Sequence, residues 1–120
     1  MSKKSVLILN RTCPYGSSKP REALDVALTC SIFEMPVSLL FLDDGVLQLV
    51  KNQKPDTLGQ KNLESILSSL PMYDIEKLYV SEAALQIHAL TEEDLSLPVA
   101  VLNSEQIADL INNHDTVLTF

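Results

Sequence analysis

Two rhythms of apolar residues alternate along this chain. Short unbroken runs occur at 5–10 ("SVLILN"), 37–42 ("VSLLFL"), 77–80 ("KLYV"), 98–103 ("PVAVLN") and 116–120 ("TVLTF"). Each has the length of a strand, and the first two read as strands buried on both faces. Between them, apolar residues recur at helical spacing. Leu24, Ala27, Leu28 and Ile32 give one face to a helix over 20–33, and Leu63, Ile66, Leu67 and Leu70 do the same further on. Ala84 and Leu85 mark a short helix, and Ile107, Leu110 and Ile111 a longer one.

The punctuation agrees with these assignments. Ser18 is placed to cap the first helix, with Pro20 tolerated in its first turn. Met35 precedes Pro36 and is steered away from helix, so the element ends there. Gly45 and Pro55 bracket a short turn-and-helix segment, with Gly45 permitting a tight turn, and Pro71 stops the second helix. Ser81 and Ser104 are placed to cap the helices that follow them, and Pro98 is acceptable at the first position of a strand.

Strand, helix, strand, helix, continued to five strands, predicts a mainly parallel sheet with helices on both faces, because parallel strands need crossover connections. The expected fold is a single-domain α/β three-layer sandwich over residues 1–120, flavodoxin- or Rossmann-like. In such folds ligands and partners meet the loops beyond the carboxyl ends of the strands. Those loops begin near Arg11, Asp43, Ser81, Asn103 and Phe120.

Composition narrows the function. The 120 residues are 46% hydrophobic, enough for a core without metal or disulfide staples. Sixteen acidic against nine basic residues leave a net charge of −7, which disfavours direct nucleic-acid binding, since phosphate affinity comes from clustered Lys and Arg. Cys13 and Cys30 are too few for a disulfide scaffold and fit a reducing, cytoplasmic setting. No leader pattern and no membrane-length apolar run is evident.

The chemical candidates fall short one by one. Cys13 follows the first strand, where a small phosphatase keeps its nucleophile, but the next arginine is Arg21, eight positions on, not at Cys-x5-Arg spacing. A reactive Cys13 of another kind is an open alternative, beside the plainer reading of an incidental loop cysteine. Cys30 lies within a helix and reads as packing. The loop at 11–18 has Thr12, Gly16, Ser17 and Ser18, but Pro14 removes a backbone donor and there is no Trp to stack on a flavin. Asp43 and Asp44 lack the other acids and the lysine of a phospho-acceptor site, and read as a strand-to-helix turn. His88 and His114 have no partners at metal-ligand spacing. No metal and no cofactor is expected. The apolar segment "VLQLV" after Gly45 has two readings from its residues alone: a subunit interface, or a short helix on its own core.

Several stretches together carry a resemblance. "KPREALDVAL", "FLDDGVLQLV" followed by "NQKPD", "MYDIEKLYV" and "SEAAL" are similar to the TusC/DsrF branch of the DsrE/DsrF/DsrH-type sulfur-relay family. The matching positions are Arg21, Glu22, Asp44, Gly45, Val46, Gln48, Leu49, Tyr73, Asp74, Ile75 and Glu76, and the similarity runs on to the terminal "HDTVLTF". It implies a cytoplasmic heterohexamer of small homologous subunits, with DsrE-like (TusD) and DsrH-like (TusB) partners. In the tRNA-modifying version a persulfide passes along carriers toward 2-thiouridine at the wobble position; in sulfur-oxidising bacteria a similar complex serves dissimilatory metabolism. The active subunit holds its persulfide cysteine just after the third strand. Here that junction is Val80-Ser81, and a serine cannot form a persulfide.

The resemblance therefore implies a non-catalytic subunit that contacts sulfur carriers only indirectly, and neither nucleic acid nor membrane. It moves the segment after Gly45 toward assembly surface, with Asp44, Gly45, Val46, Leu47, Leu49, Val50 and Tyr73 as interface candidates and self-association expected when the partners are missing. The competing readings are a DsrF-like role in sulfur oxidation, a stand-alone thiol enzyme using Cys13, and a small-ligand module with a polar pocket at the strand ends.

Overall fold

A computed structural model describes residues 4–14, 16–50 and 65–120. Among them, five parallel strands form one sheet in the order β4-β3-β2-β1-β5. The strands are β1 (Val6–Asn10), β2 (Val37–Phe41), β3 (Lys77–Ser81), β4 (Ala100–Leu102) and β5 (Thr116–Thr119). The helices are α1 (Lys19–Ile32), α2 (Glu82–Ile87) and α3 (Ser104–Asn112), with a further helical stretch at 65–69 and short 3₁₀ turns at Asp43–Leu49, Leu70–Tyr73 and Glu92–Asp94.

The strand order explains the burial. Every residue of β1 and β2 is buried, as the unbroken apolar runs predict for strands covered on both faces. β4 and β5 lie at the edges and keep no fully buried residue. Alternation along each strand splits the core in two. On one face Val6, Ile8, Leu39, Phe41 and Val80 pack with Ala23, Leu24 and Ala27 of α1 and with Leu67, Leu70, Ala84 and Leu85. On the other, Leu7, Leu9 and Leu40 meet Ile107, Leu110 and Ile111 of α3, which stay only partly buried. The layers are helices, sheet, helix.

Local chemistry sets the joints. Ser18 ends the loop before α1, with Pro20 in the first turn, but its hydroxyl bonds Glu22 Oε1 at 3.0 Å instead of capping the backbone. The cap of α3 is Asn103, not Ser104: Asn103 Oδ1 accepts from Gln106 N and Gln106 Oε1 accepts from Asn103 N, both at 2.9 Å, in a reciprocal capping box. β4 is shorter than its apolar run. Leu95 bridges Val50 and Ser96 N bonds Leu49 O at 2.7 Å, so the chain joins the sheet only at Ala100. Ile32, expected on the inner face of α1, is exposed. Pro55 and Leu63 lie outside the described residues.

Candidate functional site at the strand ends

β3 delivers Ser81 to the start of α2. The strand keeps Ser81 extended (φ −75°, ψ 125°), and the helix begins at the next residue. Its Oγ accepts a hydrogen bond from Ala84 N at 3.2 Å, satisfying one of the free amides of the first turn. Ser81 is 7% exposed. Among the described residues, no histidine hydrogen-bonds its hydroxyl. This is a capping hydroxyl tied into the backbone.

Asp43 and Asp44 follow β2 and point to different partners. Arg11 Nε donates to Asp43 Oδ2 at 2.8 Å, and His88 Nε2 lies 3.2 Å from Asp44 Oδ1. Both carboxylates are exposed. Each engages its own base, and among the described residues no three His, Cys, Asp or Glu side chains gather as a metal would need. They mark a strand-to-helix turn, as the sequence suggests, though the turn is built differently. Asp43 takes the left-handed conformation (φ 51°). Gly45 is required for another reason: a Cβ there would stand 1.8 Å from the Asn10 carbonyl oxygen. The 3₁₀ turn crosses directly over the end of β1.

That crossing sets the start of the "VLQLV" segment beside the end of β1. Gly45, Val46 and Leu49 are buried in the chain's own core. Leu47 and Val50 are half-buried, while Asp44 and Tyr73 are exposed. The alternation of the run fits a turn whose apolar side faces inward.

Two buried polar residues here had no structural role in the sequence reading, where Gln48 stood only as a position matching the family. Gln48 reaches from the 3₁₀ turn to donate from Nε2 to Thr12 O at 2.8 Å, pinning the loop that carries Cys13. Asn10, at the end of β1, is also buried, and its Nδ2 approaches Ile8 O at 3.4 Å. Asn10 Oδ1 and Gln48 Oε1 have no hydrogen-bond partner among the described residues. The available signal was a lone amide in each apolar run. Cys13 is half-buried in its loop, and Cys30 packs from α1 against the core.

An open cleft of about 400 Å³ lies over the ends of β1, β2 and β5, among Arg11, Thr12, Lys19, Asp43, Asp44 and Phe120. Neither Ser81 nor Cys13 lines it. His114, at the far end of the strands, joins α3 to β2: its Nδ1 donates to Leu110 O at 2.7 Å, and Nε2 lies 3.2 Å from Ser38 Oγ. Because a carbonyl only accepts, the Nδ1 proton is fixed by that contact.

With a buried, capping serine at the β3–α2 junction, comparison with known proteins becomes informative. The sequence profile of the DsrE/DsrF-like family matches residues 4–120. The chain belongs to the DsrE/DsrF-like family. It is 44% identical over 116 residues to "Protein TusC homolog" of Pseudomonas aeruginosa, covering 97% of this chain and 98% of that protein. It is 34% identical to "Intracellular sulfur oxidation protein DsrF" of Allochromatium vinosum, over 98% of this chain and 96% of that one. A TusC homolog of Aliivibrio fischeri is 31% identical, over 92% and 93%. These matches place the chain among the sulfur-relay proteins of TusC and DsrF type. The fold is shared with the crystal structure of the ychN protein from E. coli, with a TM-score of 0.83, 22% identity and full coverage of both chains. No helix among the described residues is long and apolar enough to cross a membrane.

Proposed function

We propose that this chain is a supporting subunit of a cytoplasmic sulfur-relay heterohexamer, with DsrE-like (TusD) and DsrH-like (TusB) partners. It carries no relay sulfur. The observation that supports this most directly is Ser81. At the junction where the family resemblance puts the persulfide cysteine of the active subunit, this chain has a hydroxyl already engaged with Ala84 N. A thiol at a helix start gains nucleophilicity from the free amides around it; an alcohol at neutral pH stays protonated and makes no persulfide.

The relay serves tRNA wobble 2-thiolation in this reading. Support comes from the two TusC homologs, one of them more similar than the DsrF protein. The acidic chain then needs no grip on tRNA, which a basic partner supplies. The DsrF match keeps a sulfur-oxidation role as the second reading.

The test is complementation in a strain lacking this gene. The double variant Cys13→Ser, Cys30→Ser restores 2-thiouridine, measured by nucleoside mass spectrometry, as well as wild type does. Restoration by wild type and failure by Cys13→Ser would establish the thiol-enzyme reading instead. No loss of 2-thiouridine on deletion would point to sulfur oxidation.

A further inference from the structure

We propose that Ile32, Phe33, Met72 and Tyr73, at the end of the molecule opposite Ser81, form the docking surface for another polypeptide that presents a large apolar side chain flanked by Lys or Arg. The proposal deepens the subunit reading by assigning the partner a face and a chemistry, and it rests on that reading.

The four side chains are 69%, 65%, 84% and 41% exposed. Ser31 Oγ donates to Tyr73 O and holds the end of α1 against the 3₁₀ turn Leu70–Tyr73, which brings the two exposed pairs to the same end of the molecule. A groove of about 290 Å³ runs beside them, lined by Ser31, Met35, Ile75 and the acids Glu34 and Asp74. Taking ~170 Å² per side chain, the patch leaves roughly 400 Å² of apolar surface in water. That is about half of what one partner gives to a standard interface, so it suits the centre of a contact with a polar rim.

The rim gives the sign of the partner. Glu34 and Asp74 are the charged residues of the groove, and neither has an ion pair among the described residues. Glu34 is also out of place in the free chain. It follows the C-terminus of α1 with φ 61°, a position that favours glycine, and adds a negative charge where the helix carbonyls already point outward. The last turn of α1 contains no basic residue to offset it. A cation from a partner would meet both the carboxylate and the helix end. A second copy of this chain fits poorly, because a two-fold contact through this patch would bring the acids Glu34 and Asp74 of one copy toward the same acidic rim of the other, on a chain of net charge −7.

The test co-expresses this chain with the DsrE-like and DsrH-like chains of its own organism and measures assembly by light scattering and affinity by titration. Phe33→Asp weakens assembly by at least ~30-fold, as loss of a central aromatic anchor does. Glu34→Gly acts with opposite signs: the isolated chain melts about 4 °C higher, from relief of the left-handed strain, while affinity for the partners falls about 5-fold or more. Circular dichroism confirms that both variants fold. A complex indifferent to both changes overturns the proposal and leaves the subunit reading standing. Self-association of the wild type that Phe33→Asp abolishes overturns it in favour of a second copy. No complex with either chain overturns the subunit reading and this proposal together.

Discussion

Replacing Gly45 with alanine tests whether the 43–49 turn belongs to the core. The added Cβ would stand 1.8 Å from Asn10 O and 2.5 Å from Asn10 C, where ordinary contact begins at 3.4 Å. The two backbones must separate by about 1.6 Å, and neither side offers a flexible side chain to yield. That carbonyl also accepts from Leu42 N at 3.0 Å, and Gly45 N donates to Leu42 O at 2.9 Å. Loss of both bonds costs about 2 kcal/mol. Loosened packing around Val46 and Leu49 adds about 1 kcal/mol, giving ~3 kcal/mol in all. With an m-value near ~2 kcal/mol/M, the urea midpoint falls by about 1.5 M. Gly16→Ala is the control. Gly16 has φ 76° but nothing within 4 Å of a Cβ, so only the conformational cost of ~1–2 kcal/mol applies. A Gly45→Ala chain as stable as wild type, or more stable than Gly16→Ala, would show that the turn does not press on β1.

Further outcomes follow from the caps and one carboxylate. Asn103→Ala lowers stability by about 1 kcal/mol in urea titration, while Ser104→Ala stays within about 0.3 kcal/mol, because only Asn103 caps α3. Ser81→Ala costs about 1 kcal/mol through the lost Ala84 contact yet leaves 2-thiouridine at wild-type levels in the complemented strain. Asp115 has its carboxyl held below the ordinary value of 3.8, chiefly by the hydrogen bond from Ser5 N and then that from Ser5 Oγ. Its folded value being depressed, it stabilises the fold above the ordinary carboxylate range and ceases to do so as pH falls through the folded value. Asp115→Asn therefore flattens the decline in stability below pH ~4, seen in urea midpoints taken across that range.

Strand positions were readable because β1 and β2 are covered on both faces, which leaves an unbroken apolar run as their mark. Ser81 was readable because capping is local: the residue, the strand before it and the helix after it are neighbours in sequence. The choice between Asn103 and Ser104 also lay in the chain, since Gln106 stands three residues after Asn103 and completes the box with it. Other features depend on distant contacts. Helical spacing places Ile32 on the same stripe as Leu24, but cannot say whether the last turn has anything beneath it. The residues of "VLQLV" leave interface and core readings open, because nothing local reveals that the turn folds back over Asn10. Gln48 and Thr12 are 36 residues apart, so their contact leaves no local pattern.

The central claim is that sulfur travels on a neighbouring chain while this one provides support. The most direct measurement loads the assembled complex with sulfur from cysteine desulfurase and its carrier, then takes the intact mass of every chain without reductant. One added sulfur on the DsrE-like chain and none on this chain is the predicted result. Added sulfur on this chain, mapped to Cys13 or Cys30 and passed to an acceptor, would contradict it.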